Sequence, residues 1–528
     1  MESIKSTIEN AKTALGIEFG STRIKAVLIG ENHELLASGS HDWENELKDS
    51  VWTYSEESIL KGLQDSYRKL SNDVKEKYGI TLKKVGAIGI SAMMHGYLAF
   101  DKEDNLLVPF RTWRNTITEE AAEKLTKLFS FNIPQRWSIA HLQQAILNGE
   151  EHVKDIEYFT TLAGFVHKLL TGENVLGVGD ASGMFPIDSK TGPYNAEMAK
   201  KFDEYNKESA FKKGILSALP KVLSAGQCAG SLTEEGAKIL DPSGELESGI
   251  PVCPPEGDAG TGMTATNSVA AGTGNVSAGT SVFAMIVLEK ELSDVYIEID
   301  MVTTPDGLPT AMVHCNNCCG DIDAWVKLFG EVMASFKIEK PKYELYDMLY
   351  HMALEADKDC GGVLTYNLFS GEPILETAQG RPMLIRKPDA KFSFKNLARS
   401  LVYSSFATLK IGMDILTENE GVKIKKLLGH GGLFKTKGVA QSLLASALGV
   451  PVSVMPSAGE GGAWGIAILA DFMKNKEEGE KLCDYLNNKV FASAEISTEM
   501  PKDDDAAGFK EYIKEYINSV AVQKAAIK

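Results

Sequence analysis

Ala14-Leu15-Gly16-Ile17-Glu18-Phe19-Gly20-Ser21-Thr22-Arg23-Ile24-Lys25-Ala26-Val27-Leu28-Ile29 consists of two apolar, partly β-branched runs around a Gly-Ser-Thr turn. The pattern reads as a strand–turn–strand hairpin. Gly20, Ser21 and Thr22 put backbone donors and hydroxyls at its tip, the chemistry of a phosphate-cradling turn. Glu18, in the strand just before, is placed to hold a hydrated metal ion. Most hairpin turns carry glycine and serine for steric reasons alone, so the segment gains meaning because it returns. Asn275-Val276-Ser277-Ala278-Gly279-Thr280-Ser281-Val282-Phe283-Ala284-Met285-Ile286-Val287-Leu288 is again apolar run, Gly-Thr-Ser, apolar run. Gly20 and Gly279 lie 259 residues apart, close to half of the 528-residue chain. Two similar α/β domains, each offering a hydroxyl-rich turn to one nucleotide, is the economical reading.

Length alone asks for at least two cores. Hydrophobic residues make up 44% and charged residues 24%, an ordinary globular composition. A net charge of −17 argues against a nucleic-acid surface, which needs a basic stripe to neutralise phosphates. The seven cysteines are sparse and irregularly spaced, as expected for reduced thiols rather than a disulfide framework. No apolar run approaches the ~18–20 residues needed to span a bilayer, and Met1 to Thr13 lacks the apolar centre of a signal peptide. The expectation is a cytoplasmic protein without membrane or nucleic-acid partners. There is no Gly-x-x-x-x-Gly-Lys-[Ser/Thr], and no Gly-x-Gly-x-x-Gly between a strand and a helix, which disfavours a P-loop or a dinucleotide fold.

Between the two hairpins lies Pro255-Glu256-Gly257-Asp258-Ala259-Gly260-Thr261-Gly262-Met263. An extended, proline-rich run delivers the chain to Gly257, and the small residues after Asp258 can open a helix. A carboxylate there sits near helix N–H groups that favour its charged form, a pre-placed acceptor for a hydroxyl proton. Alone, the pair reads first as a helix cap beside a loop.

Other segments add candidates. Lys84 to Ser91 is a buried strand leading into Met94-His95-Gly96, and α/β sheets bind ligands at the carboxyl ends of their strands. Trp113, beside Arg114 and Asn115, can stack on a sugar face or fill a core. Gly177 to Met184 can close on a ligand or merely turn. Cys315 and Cys318 form only half of a zinc motif, so a structural role is expected for Cys315, Cys318 and Cys319. Ile424 to Leu428 reads as a strand entering Gly429-His430-Gly431-Gly432-Leu433-Phe434-Lys435. Bare backbone in such a loop lets a base or phosphate approach. Gly459 to Ala467 opens a helix of small residues suited to a hinge, and from about Glu477 the tail reads as charged surface helix with a Lys-Asp-Asp-Asp loop.

Taken in order, these segments resemble the FGGY carbohydrate kinases, and within them the xylulokinases. Gly16 to Thr22 is similar to the family's first phosphate turn and Met94-His95-Gly96 to its sugar-site motif. Gly257-Asp258-Ala259 resembles the catalytic Gly-Asp, Gly279-Thr280-Ser281 the second phosphate turn, and Gly429 to Lys435 the adenosine loop. The resemblance implies two actin-like, ribonuclease H-type domains with the active site in the cleft between them. It divides the chain into an extension (1–13), an N-terminal domain (14–268), a C-terminal domain (269–475) and a helical tail (476–528). It further implies ATP and Mg²⁺, with Glu18 on the metal and Asp258 as catalytic base. Met94, His95, Trp113 and Asp258 would bind the sugar. Gly20, Ser21, Thr22, Gly279, Thr280, Gly431, Gly432 and Lys435 would bind the nucleotide.

The implied reaction is phosphorylation of the terminal hydroxyl of a ketopentose, D-xylulose to D-xylulose 5-phosphate, and a homodimer is left open. Three positions depart from the family pattern: Glu18 replaces Asp, Gly-His-Gly-Gly-Leu-Phe-Lys replaces Gly-Gly-Gly-Ala-Lys, and Trp113-Arg114-Asn115 replaces Trp-Asn-Asp. Kinases of the same fold for ribulose, glycerol or a deoxy-sugar remain alternatives, as does an actin-like ATPase that is not a kinase.

Overall fold

A computed structural model describes residues 2–455 and 461–527. Gly459 and Glu460, at the start of the expected small-residue helix, lie outside the described residues. The chain forms two compact units. The first comprises Met1–Val269, Glu289–Thr310 and Gly459–Ser493; the second comprises Ala270–Leu288, Ala311–Ala458 and Ala494–Lys528.

The first unit is built on strands β1 (Ala14–Phe19), β2 (Arg23–Ile29), β3 (Leu35–Asp42), β4 (Ala87–Ala92) and β5 (Glu256–Gly257). Their order in the sheet is β5-β4-β1-β2-β3. β1 to β3 run antiparallel, while β4 and β5 add on parallel to β1. Alternation along β1 decides what each face can hold. Leu15, Ile17 and Phe19 are fully buried on one face, in a core shared with Ile59, Leu63 and Leu70 of the helix Glu56–Tyr78. Gly16 and Glu18 look the other way, toward the helix Gly461–Asn475. A Cβ at Gly16 would overlap the Ala463 carbonyl oxygen, so that helix lies directly on bare β1 backbone. The helix of small residues is therefore packing material for the first unit.

The second unit repeats the plan. Strands β6 (Thr273–Ala278), β7 (Val282–Val287), β8 (Pro309–Cys315), β9 (Lys426–His430) and β10 (Val452–Val454) lie in the order β8-β7-β6-β9-β10. The first hairpin of the repeat is antiparallel, and β9 and β10 follow parallel to β6. This is the strand order of the first unit, that of a ribonuclease H-type domain. β11 (Ser497–Glu499) pairs antiparallel with β10 and extends the sheet. The expected Lys-Asp-Asp-Asp surface loop is instead the first turn of the helix Asp503–Asn518. Asp505 is buried there against the wholly buried Arg399. Acidic residues suit a helix N-terminus, and an apolar pocket for arginine demands a paired carboxylate. Among the described residues, no helix is long and apolar enough to cross a membrane.

Candidate active site

β1, β4 and β5 end level with one another, because Ala92 pairs with Phe19 on one side and with Gly257 on the other. The segments after them leave the sheet at one edge: the Gly20 turn, Met93 to Gly96, and Asp258. In the turn, the Trp43 indole donates to the Gly20 carbonyl (2.7 Å) and the Tyr54 hydroxyl to the Ser21 carbonyl (2.6 Å). Trp43 N–H donates to the Thr22 carbonyl at 3.1 Å. With the carbonyls held on the protein side, Ser21 and Thr22 form a half-buried to exposed tip.

Asp258 is the first residue of the helix Asp258–Ala265, and its Oδ1 accepts from Met94 N–H at 3.1 Å. Gly257 makes this possible, since a Cβ there would overlap Met94 Cγ. The Asp258 side chain is open to solvent, yet protein crowds behind it. Burial raises its pKa above the usual aspartate value, while the amides of Met94 and Ala259 and the charge of Arg136 pull it back. The helix N–H groups act in the expected direction, but desolvation outweighs them. A carboxyl of raised pKa that still reaches solvent is suited to taking a proton.

Glu18 is half-buried and its Oε2 accepts from Ala463 N–H (3.1 Å), inside the first turn of the helix Gly461–Asn475. Its pKa is raised to about 7, first by burial and then by the charge of Asp258. Among the described residues no three metal-ligating side chains cluster. A magnesium ion bound to phosphates and waters needs only one or two carboxylates, and a cation would relieve this crowded negative charge. The donor set therefore fits a hydrated divalent ion, although Glu18 already serves as a helix cap.

Sequence reasoning missed two further acids. Glu256 is buried and accepts from Gly179 N–H (3.2 Å) and Asp180 N–H (2.9 Å), capping the short helix Val178–Ala181. Asp180, also buried, accepts from the Thr161 hydroxyl at 2.6 Å through Oδ2, and its buried Oδ1 has no partner among the described residues. Burial raises Asp180 to about 7 and Glu256 to about 8, Asp180 adding to the latter. The Gly177–Met184 segment is thus a buried support. Glu256 stood beside Gly257-Asp258 in the sequence, but nothing in its type distinguished it from a surface glutamate.

His95 is buried at φ +68° and its Nδ1 lies 3.1 Å from the Gly183 carbonyl. A carbonyl only accepts, so Nδ1 carries the proton and Nε2 is left as an acceptor. Burial, with the nearby Arg136 charge, lowers the imidazole pKa to about 3, so it is neutral. Arg136 pairs with Asp300, which also accepts from Asn132 Nδ2 at 3.1 Å. No sequence pattern marked that pair, because its members come from distant segments. Met94 is buried beside Asp258. Trp113 is 41% exposed, with its ring available. Its neighbours are committed elsewhere: the Arg114 guanidinium lies 3.9 Å from the centroid of the Trp52 ring, and Asn115 is buried against the Trp52 and Thr112 backbone. The Asn115 amide is thus taken up by its own backbone hydrogen bonds.

In the second unit, β6 and β9 are parallel neighbours with Ser277 opposite His430. The Gly279 turn and the Gly431 loop consequently emerge side by side. Gly431 has φ +100°, and a Cβ there would overlap the Ala278 carbonyl oxygen. Only glycine permits both the conformation and the approach. Thr280, Gly431, Gly432 and Lys435 are all exposed. Each unit thus presents a turn of matching chemistry at the carboxyl end of its first strand.

Residues 13–263 match the profile of the N-terminal domain of the FGGY family of carbohydrate kinases, and residues 274–473 match that of its C-terminal domain. A xylulose kinase of Haemophilus influenzae is 23% identical over 89% of this chain and 92% of its own length. A gluconokinase of Bacillus subtilis is 29% identical over 21% of this chain and 21% of its own. Among solved structures, a ligand-bound xylulose kinase from Lactobacillus acidophilus superposes with a TM-score of 0.79 at 18% identity, covering 98% of this chain and 100% of that one. Plasmodium falciparum glycerol kinase with ADP gives 0.75 at 16% identity, covering 97% and 98%. With both halves matched in order, this chain belongs to the FGGY family of carbohydrate kinases.

Proposed function

We propose that the protein transfers the terminal phosphoryl group of ATP to the terminal hydroxyl of a ketopentose, D-xylulose, giving D-xylulose 5-phosphate. The observation that carries this reading is Asp258, fixed by Met94 N–H, open to solvent and raised in pKa at the strand edge where neutral His95 also lies. The first unit would take the sugar. His95 Nε2 accepts a hydrogen bond from a sugar hydroxyl, Met94 packs against the carbon chain, and Trp113 covers an apolar face. The turns at Gly20, Ser21 and Thr22 and at Gly279 and Thr280 donate to phosphate oxygens. Gly431, Gly432 and Lys435 serve the nucleoside end.

Phosphoryl transfer passes through a loose transition state whose charge sits on the transferred oxygens, so positioning and electrostatics dominate. Asp258 orients the hydroxyl and accepts its proton at a carboxylate oxygen as the bond to phosphorus forms, a contribution of roughly 10²–10⁴ in rate. Glu18 would hold Mg²⁺ through water, and the ion would neutralise charge on the phosphates.

The choice of D-xylulose rests on Met94-His95 and on the full-length relative, while gluconate and glycerol kinases share the fold. A coupled ADP-release assay across D-xylulose, L-ribulose, glycerol and gluconate tests it. D-xylulose is expected to give the highest kcat/KM, and a larger value for any other acceptor overturns the substrate.

A further inference from the structure

Cys318 and Cys319 hold their sulfur atoms 3.5 Å apart. Cys318 is buried and Cys319 half-buried. Both backbone amides are committed to the turn between β6 and β7. Cys318 N–H donates to the Thr280 carbonyl (2.9 Å) and Cys319 N–H to the Gly279 carbonyl (3.0 Å). They hold this turn from behind as Trp43 and Tyr54 hold the Gly20 turn. The Cys318 carbonyl is fixed in its place by Asn367 Nδ2 at 2.9 Å. A pair of adjacent thiols is thus built into the clamp behind an exposed Thr280.

We propose that Cys318 and Cys319 are a modification site: a hydroperoxide closes them into a vicinal disulfide, which loosens the Gly279–Thr280 turn and weakens nucleotide binding. The second half of this statement rests on the reading of that turn as phosphate-binding. In the first step the thiolate of Cys319, the more accessible of the two, attacks the peroxide oxygen. The O–O bond breaks, the leaving oxygen departs as hydroxide or alkoxide, and Cys319 becomes a sulfenic acid. The Cys318 sulfur then attacks Cys319. The S–S bond forms, the S–O bond breaks, and the hydroxyl leaves as water with the thiol proton. The two cysteines lose two electrons and the hydroperoxide gains them.

The geometry couples this chemistry to the turn. A disulfide sulfur pair sits about 2.05 Å apart and ordinarily wants Cα atoms at least ~4.4 Å apart, whereas adjacent Cα atoms across a trans peptide are only ~3.8 Å apart. The ring that closes has eight members and contains the Cys318–Cys319 peptide. That peptide's N–H is the donor to the Gly279 carbonyl. Closing the ring turns the peptide and takes the donor from its acceptor. The buried Cys315 lies outside this ring.

The test treats the full chain with hydrogen peroxide and reads intact mass, peptide mapping and kinetics. The expected result is loss of two hydrogen atoms per chain, mapped to Cys318–Cys319 and reversed by dithiothreitol. With it, ATP KM should rise roughly two- to tenfold, the scale of one weakened backbone hydrogen bond. In Cys319→Ser, with Cys319→Ala as a second variant, peroxide should leave ATP KM at each variant's own untreated value. Failure to form the bond, or a bond from Cys318 to Cys315, overturns the proposal. A Cys318–Cys319 bond with unchanged ATP KM overturns the coupling. Thr280→Val separates the two readings: unchanged ATP KM in the reduced variant overturns the phosphate turn itself, whatever the sulfurs do.

Discussion

His95 shows what one buried side chain can and cannot do. Its proton is spent on the Gly183 carbonyl and its pKa lies near 3, so it cannot act as an acid or base near neutrality. What remains is an acceptor at Nε2. His95→Ala should therefore raise the sugar KM by roughly 5–150-fold, the range of ~1–3 kcal/mol for a lost buried polar contact. ATP KM should stay within a factor of about two. Initial-rate kinetics with each substrate varied check this, and an unchanged sugar KM removes His95 from the site. At this scale the sequence offers candidates where a residue type is rare for its surroundings: an aspartate after glycine, a histidine just past an apolar strand. It was unreadable where function depends on a partner far along the chain. The Asn115 amide is bonded to the Trp52 backbone, 63 positions away. Arg136 finds its partner in Asp300, 164 positions away.

At the scale of elements, two helices and one buried acid pair hold the site in place. A Cβ at Gly465 would overlap the Thr261 carbonyl oxygen, because the helix Gly461–Asn475 lies against the helix that begins at Asp258. Gly465→Ala should destabilise the protein by about 1–3 kcal/mol through overpacking. Urea denaturation monitored by tryptophan fluorescence reads this, and a change below ~0.5 kcal/mol contradicts the packing. Glu256 makes the second case. Its folded pKa, about 8, lies above the ordinary glutamate value of 4.5. A carboxyl raised in this way contributes stability that is fully present below its unfolded pKa and lost as pH rises through its folded pKa. Between about pH 5 and about pH 8, Tm should fall in the parent and fall less in Glu256→Gln, whose baseline is lower because an amide cannot accept both N–H groups. Equal slopes in differential scanning calorimetry would contradict the assignment. The hairpins and the helix after Gly257 were legible in the sequence because alternation and glycine placement are local signals. The capping of the helix Gly461–Asn475 by Glu18 was not, since 445 positions separate Glu18 from Ala463.

The molecule as a whole is a duplicated plan. The repeated hairpins at Gly20 and Gly279 announced it, and the matching strand orders of the two units bear it out. Composition could not show how the chain ends. From about Glu477 the tail reads as charged surface helix, yet residues 494–528 contribute β11 and the Asp505 partner that keeps Arg399 from lying unpaired in the second unit. The helix Gly461–Asn475 likewise clusters with the first unit, because bare glycine backbone at Gly16 invites it there. The central claim is that Asp258 directs phosphate from ATP onto a sugar hydroxyl. It is tested most directly by ADP release at saturating ATP, with and without D-xylulose, in the parent and in Asp258→Asn. The parent should show strong stimulation by the sugar, and the variant should lose roughly 10²-fold or more of kcat at little-changed ATP KM. ADP release that ignores the sugar, or a variant turning over at the parent's rate, would contradict it.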